Sequence, residues 1–215
     1  MIKRLIVISS LILTGCSTSL KDPTLSASGY IATDGMMRIW TKVSGEGQHM
    51  RLMSVYTPYT GSTVSTYYEY SAGKVSLIRR EVQTPDGYPK ELMRLDSEGN
   101  PSFMQRQLAD RNEQLSADDI LRLKYEEQRI LTTSESLDAG KIVLYQGYIN
   151  NGEIITCAGE TVNPVFSYEQ QSWIEKRVRN GGFISLAWLD APRGMQLLLV
   201  ANENFCSWEP RLGTF

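Results

Sequence analysis

Between residues 35 and 112 the chain repeats one unit: a short stretch alternating apolar and polar residues, then a turn carrying glycine. Residues 37–43 alternate, with Met37, Ile39, Thr41 and Val43 on one side, and Gly45-Glu46-Gly47 turns the chain into residues 49–55. Residues 64–70 are β-branched and aromatic, and Ala72-Gly73 returns them along residues 75–82. Pro85-Asp86-Gly87 and Glu98-Gly99-Asn100 then bracket residues 91–95 and lead to residues 103–108. Successive side chains of a strand point to opposite faces, so the alternation is that of half-buried strands, and turns this short imply antiparallel hairpins. The spacing has no fixed period and gives no support to a propeller or solenoid. A β-meander is the expected frame.

The pattern then changes. Ser116-x-x-Asp119 has capping-box spacing, in which a side-chain oxygen accepts an orphan amide of the first helical turn. It predicts a helix over 116–131, with Ile120, Leu123, Ile130 and Leu131 near one face and Glu126, Glu127 and Arg129 on the other. Gly140 is suited to a left-handed cap. Residues 142–149 and 153–157 form the clearest hairpin, across Asn151-Gly152. Ser167 and Gln170 open a second helix with Trp173, Ile174 and Val178 on its apolar side, and Lys176, Arg177 and Arg179 complement the dipole at its end. Residues 183–189 and 195–200 make a last hairpin across residues 191–194, with Leu197-Leu198-Leu199-Val200 buried on both faces. The expected fold is α+β: an antiparallel meander, one or two helices and a C-terminal hairpin layer.

The start of the chain carries a location. Lys3 and Arg4 precede an apolar run over residues 5–13, then Leu13-Thr14-Gly15-Cys16. That nine-residue run, interrupted by Ser9 and Ser10, spans about 14 Å as helix, against a hydrocarbon core of about 30 Å, so it is a signal peptide rather than a membrane span. Leu13-Thr14-Gly15-Cys16 resembles the bacterial lipobox. That resemblance implies cleavage before Cys16 and acylation of Cys16, whose chains anchor the protein to a membrane. Ser17, rather than Asp, follows the cysteine, which in enteric-type lipoproteins implies the outer membrane. The expected organisation is a signal peptide over 1–15, a lipidated cysteine and flexible tether over 16–29, and a single periplasmic α+β domain over 30–215, in which residues 30–33 form a first edge strand.

Removing residues 1–15 takes Lys3 and Arg4 with it, so a formal net charge of −2 becomes −4. An acidic chain without a basic block is a poor partner for nucleic acid, whose affinity rests on phosphate neutralisation. With 41% hydrophobic and 21% charged residues the chain can bury a core and is not a disordered tail. Once Cys16 is acylated, Cys157 and Cys206 remain. In an oxidising periplasm they are expected to pair, closing a loop of about 50 residues; buried free thiols are the alternative reading.

Candidate chemistry is sparse. His49 is the single histidine, and no Gly-x-Ser-x-Gly elbow accompanies it, so it reads as a surface residue. Too few Cys and His are present for a zinc site, and no phosphate loop or dinucleotide fingerprint occurs; no metal and no cofactor are expected. The acidic pairs Asp118-Asp119 and Glu126-Glu127 read as a charged cap and a solvated helix face. Glu153, Glu160, Glu169 and Asp190 could serve in a carboxylate pair, but spacing selects none of them. Tyr56, Tyr59, Tyr67, Tyr68 and Tyr70 cluster, and Tyr68 and Tyr70 share a strand face opposite to Tyr67. Tyr67, Tyr68 and Tyr70 form the candidate binding face for a glycan or peptide, against cross-strand pairing within the sheet as the alternative.

Met93-Arg94-Leu95-Asp96, Ser102-Phe103-Met104-Gln105-Arg106 and the closing Cys206-Ser207-Trp208-Glu209-Pro210 carry a wider resemblance. The mature chain is similar to the uncharacterised gammaproteobacterial YjaH-like lipoproteins, which contain a domain of unknown function. The resemblance implies an envelope lipoprotein and brings no catalytic residues. The expected function is non-enzymatic: a binding or assembly factor on the outer membrane with an envelope protein or glycan as partner. A peptidoglycan- or glycan-acting enzyme with paired carboxylates, or an envelope-stress sensor, are the competing readings.

Overall fold

The computed structural model describes residues 22–215; the leader and Cys16 lie outside the described residues. Eight strands, β1 (Thr24–Ala32), β2 (Gly35–Ser44), β3 (His49–Pro58), β4 (Val64–Ser71), β5 (Lys74–Val82), β6 (Lys90–Leu95), β7 (Pro101–Gln107) and β8 (Asn112–Glu113), pair antiparallel in chain order. This is the meander that the alternation predicts. Helix α1 (Ala117–Ala139) follows, then β9 (Val143–Asn150), β10 (Glu153–Thr156), β11 (Thr161–Val162), helix α2 (Tyr168–Arg179), β12 (Ser185–Ala191) and β13 (Gly194–Ala201). The expected C-terminal hairpin layer is wider than two strands: β12 pairs with β9, joining both hairpins in a five-stranded sheet ordered β11-β10-β9-β12-β13.

Alternation assigns each face of these sheets to a different core. On β2, Met37 and Ile39 point toward α1, where they pack with Leu52, Tyr68, Ile78, Met93, Leu123 and Ile130. Trp40 on the opposite face meets Leu144, Leu189 and Leu198 of the second sheet. Leu186, Trp188 and Leu197 face away from the first sheet and pack with Phe166 and Ile174 of the α2 region. The layers therefore run α1, first sheet, second sheet, α2.

Several boundaries differ from expectation. Strand β1 begins at Thr24, not residue 30, so residues 24–29 belong to the domain rather than to a tether. Their Ser-rich composition hides an alternation in which Leu25 and Ala27 pack into the core between the sheets. Small residues suit the close approach: a Cβ at Gly29 would stand 2.6 Å from the Met37 carbonyl oxygen and in contact with Leu189 and Leu198.

Helix α1 opens with the expected capping box on Ser116 and Asp119 but runs eight residues beyond 131. Thr133 and Ser136 are weak helix formers, yet their hydroxyls donate to the carbonyls of Arg129 and Thr132 at 2.7 and 2.9 Å, and Leu137 packs on the core. The left-handed residue at its end is Lys141 (φ 54°), not Gly140 (φ −75°). The Ile142 amide donates back to the Leu137 carbonyl at 3.0 Å and completes the cap. Glu127, expected on the solvated face, is buried, since Leu123, Glu127, Ile130 and Ser134 form one stripe at spacings of four, three and four. In α2 the cap on Ser167 and Gln170 is as expected, but Ile174 alone is buried, and Trp173 and Val178 are exposed. Asn151 and Gly152 both adopt positive φ, the geometry of a tight two-residue hairpin turn.

Candidate functional site

Pairing register builds a polar row that no local pattern displays. On the α1-facing side of the meander, Ser54 lies opposite Thr66, Thr66 opposite Arg80, Arg80 opposite Glu91, Glu91 opposite Arg106, and Arg106 opposite Glu113. The neighbouring row, Leu52, Tyr68, Ile78 and Met93, is core.

One half of the row is closed by charge pairing. Glu91 is 3% exposed and accepts from Arg106 at 2.8 Å and from Arg122 of α1 at 3.1 Å, with Arg80 at 3.3 Å. Asp119 of the helix cap joins the cluster through Arg106 at 2.6 Å. Burial pushes the Glu91 pKa up, but the hydrogen bonds from Arg106 and Arg122 prevail and hold it below the usual carboxylate value. Asp119 is driven far below its ordinary range, chiefly by its hydrogen bond with the Ser116 hydroxyl. The other half opens into a cavity of about 380 Å³ between α1 and the sheet, into which Ser54, Thr66, Tyr56, Tyr68, Arg80 and Arg129 contribute. Arg129 donates to the Tyr30 hydroxyl at 3.2 Å. The Tyr56 hydroxyl is buried and has no hydrogen-bond partner among the described residues. Burial, with Asp34 beside it but outside hydrogen-bond geometry, pushes its pKa up to about 12.

A second cleft, about 410 Å³, lies where β1 meets β9 and the C-terminal segment. Trp40 and Leu144 are among its apolar lining residues, and Asp138, Glu160 and Glu209 with Lys141 give it a net acidic charge. Glu209 accepts from the Gln146 side-chain amide at 2.7 Å, and Gln146 in turn accepts from Arg38 at 2.9 Å. Arg38 is 1% exposed and its guanidinium lies 4.8 Å from the ring centres of both Phe205 and Trp208. Desolvation lowers the Arg38 pKa to about 10 against the attraction of Glu203 and Glu209, and burial raises that of Glu209. Cys157 lines this cleft and is bonded to Cys206.

The tyrosine face expected from sequence is not available as a surface. Tyr68 and Tyr70 are 1% and 4% exposed, under α1. Their face is covered because α1 lies across it, and the Tyr70 hydroxyl is held by Glu127. Tyr67 is half-buried on the other face, edge-on to Phe215 with ring centres 5.9 Å apart. Tyr68 lines the cavity beneath α1, and Tyr70 a separate one beside His49 and Arg51. His49 is exposed at the β2–β3 turn. Among Glu153, Glu160, Glu169 and Asp190, Glu160 alone reaches the acidic cleft. Lys176, Arg177 and Arg179 lie exposed at the end of α2. Arg38, Gln146, Ser54, Thr66 and Arg80 escape sequence reading, because their roles depend on register and on which helix covers which face. Among the described residues no cluster has the composition of a metal site, and no helix is long and apolar enough to cross a membrane.

The fold and its cavities define a two-sheet antiparallel α+β domain with internal polar sites. Residues 27–211 match the family described as Protein of unknown function (DUF1481), and the chain belongs to that family. The Uncharacterized protein YjaH of Escherichia coli (strain K12) is 37% identical over 218 residues, covering 99% of this chain and 93% of that protein. No solved structure matches the chain.

Proposed function

We propose that this protein is a non-enzymatic binding or assembly lipoprotein, held by acylated Cys16 on the periplasmic side of the outer membrane. The observation that carries the location is the Cys157–Cys206 bond. A disulfide within the domain suits an oxidising compartment and leaves Cys16 as the one remaining cysteine of the three. The polar cavity beneath α1 supplies a place to bind. The test is labelling of cells with an alkynyl palmitate analogue, followed by membrane fractionation. Wild type is expected in the outer-membrane fraction and labelled; Cys16→Ala is expected unlabelled and soluble. Membrane retention of Cys16→Ala at the wild-type level would overturn the anchor. Crosslinking from membranes then tests for an envelope protein partner.

One observation favours the enzymatic alternative. Asp138, Glu160 and Glu209 share the cleft beside β1, and burial biases Glu209 toward its protonated form, as a general acid requires. Release of soluble fragments from peptidoglycan sacculi, lost in both Glu160→Gln and Glu209→Gln, would shift the assignment to that reading.

A further inference from the structure

The polar row crosses a sheet face that is otherwise core, and burying hydroxyls and guanidinium groups there is costly unless each finds a partner. Around Glu91 the partners are internal. At the Ser54–Thr66 end the row borders a cavity. Three features describe what would fill it.

The first is charge. Arg80 and Arg129 share the cavity lining with Asp34 and Glu126, two cations and two anions. Arg80 is engaged by Glu91, and Glu126 stands 3.6 Å from Arg122. A charged ligand therefore gains little from the local field. The second is hydrogen-bonding character. The hydroxyls of Ser54, Thr66, Tyr56 and Tyr68 both donate and accept, guanidinium only donates, and carboxylate only accepts. That mixture suits a ligand bearing several hydroxyls, while phenol rings offer flat faces for its C–H side. The third is one atom of that wall: the Tyr56 hydroxyl is buried beside Asp34 without a hydrogen bond of ordinary geometry, and buried polar groups rarely stay unpaired.

We propose that the cavity beneath α1 binds an uncharged saccharide, one or two rings in size. This rests on the binding reading above and names its ligand class. About 380 Å³ is within the range of small-molecule sites. The sugar has two sources, a free saccharide or the terminal ring of a polymeric glycan, and both present the same hydroxyls.

The test uses the full chain in a sugar-free detergent. Calorimetric titration with the N-acetylglucosamine disaccharide and with maltose reads free sugar, co-sedimentation with purified peptidoglycan sacculi reads polymer, and sodium phosphate is the charged control. Saturable binding of a disaccharide supports a free-sugar site, and binding to sacculi alone supports a terminal-ring site. Tyr56→Phe and Thr66→Val are each expected to weaken that binding about five- to tenfold, the effect of one lost hydrogen bond. Tyr56→Phe is also expected to leave the melting temperature unchanged or slightly raised, since the hydroxyl it removes has no partner in the empty protein. Absence of binding in every arm, a response to phosphate alone, sugar binding by both variants as tight as wild type, or a lowered melting temperature for Tyr56→Phe would each overturn the proposal. None of these results bears on acylation of Cys16, which the labelling experiment reads separately.

Discussion

The Tyr70 hydroxyl donates a 2.8 Å hydrogen bond to the Glu127 carboxylate, and neither residue is more than 7% exposed. It joins β4 to the middle of α1 through the core. Burial raises the Glu127 pKa more than the Tyr70 hydrogen bond lowers it. A carboxyl whose pKa is raised on folding contributes most while protonated, and that contribution is lost as pH rises through the folded value. Wild-type stability is therefore expected to increase as pH is lowered from 7 toward 5, read by urea denaturation. Glu127→Gln keeps an acceptor for Tyr70 and removes the charge, so it is expected to match or exceed wild type at pH 7 and to show a smaller increase, the remainder coming from Glu209, whose pKa burial also raises. An unchanged pH profile in Glu127→Gln would show that Glu127 is not its source.

Glu91 and Asp119 act with the opposite sign. Both carboxyls are held below their ordinary values, so they stabilise above the unfolded pKa of about 4 and lose that contribution as pH falls below it. The stability curve should turn over near pH 4 to 5. Glu91→Gln leaves Arg80, Arg106 and Arg122 without their shared anion. Its expected cost is about 3–5 kcal/mol at pH 7, and a loss below about 1 kcal/mol would mean that Asp119 and Glu126 suffice to hold α1.

The contrast between Glu91 and Glu127 shows what a single sequence can and cannot express. Strands and helix caps were legible because alternation, glycine turns and capping boxes act within a few residues: Ser116 with Asp119, Ser167 with Gln170, Asn151 with Gly152. The disulfide was legible from the cysteine count once Cys16 is set aside. The row from Ser54 to Glu113 was not, since it requires the register of six strands at once. Polarity alone assigns Glu127 to the solvated side of the helix. Its partner, Tyr70, lies 57 residues away. The same distance effect turned Tyr68 and Tyr70 from a binding face into core.

The tyrosines consequently differ in what they contribute. Tyr70→Ser empties a core position and strands Glu127, with an expected loss of about 3–5 kcal/mol. Tyr67→Ser removes a half-buried ring that packs on Phe215 and lies 4.9 Å from Arg79, and its expected loss is about 1–2 kcal/mol. Chemical denaturation of the two variants checks the order. Equal losses would contradict the division of these residues between the two faces of β4.

Arg38 and the disulfide secure one segment from two sides. Cys206 lies beside Phe205, and Phe205 and Trp208 flank the Arg38 guanidinium, while the disulfide ties the same segment to Cys157, the residue that follows β10. Opening the bond frees a loop of about 50 residues and is expected to cost about 4 kcal/mol. Arg38→Ala leaves the Gln146 acceptor without its 2.9 Å donor and removes the cation between the two rings, with an expected cost of about 3–5 kcal/mol. Residues that hold a common element are not additive. Once either support is gone, the segment is partly released and the other has less to lose. A cycle of wild type, Arg38→Ala, Cys157→Ser with Cys206→Ser, and the combination is therefore expected to show a joint loss smaller than the sum by more than about 0.5 kcal/mol. Strict additivity would mean that the disulfide acts on the unfolded chain alone and that Arg38 holds Phe205 and Trp208 without its help.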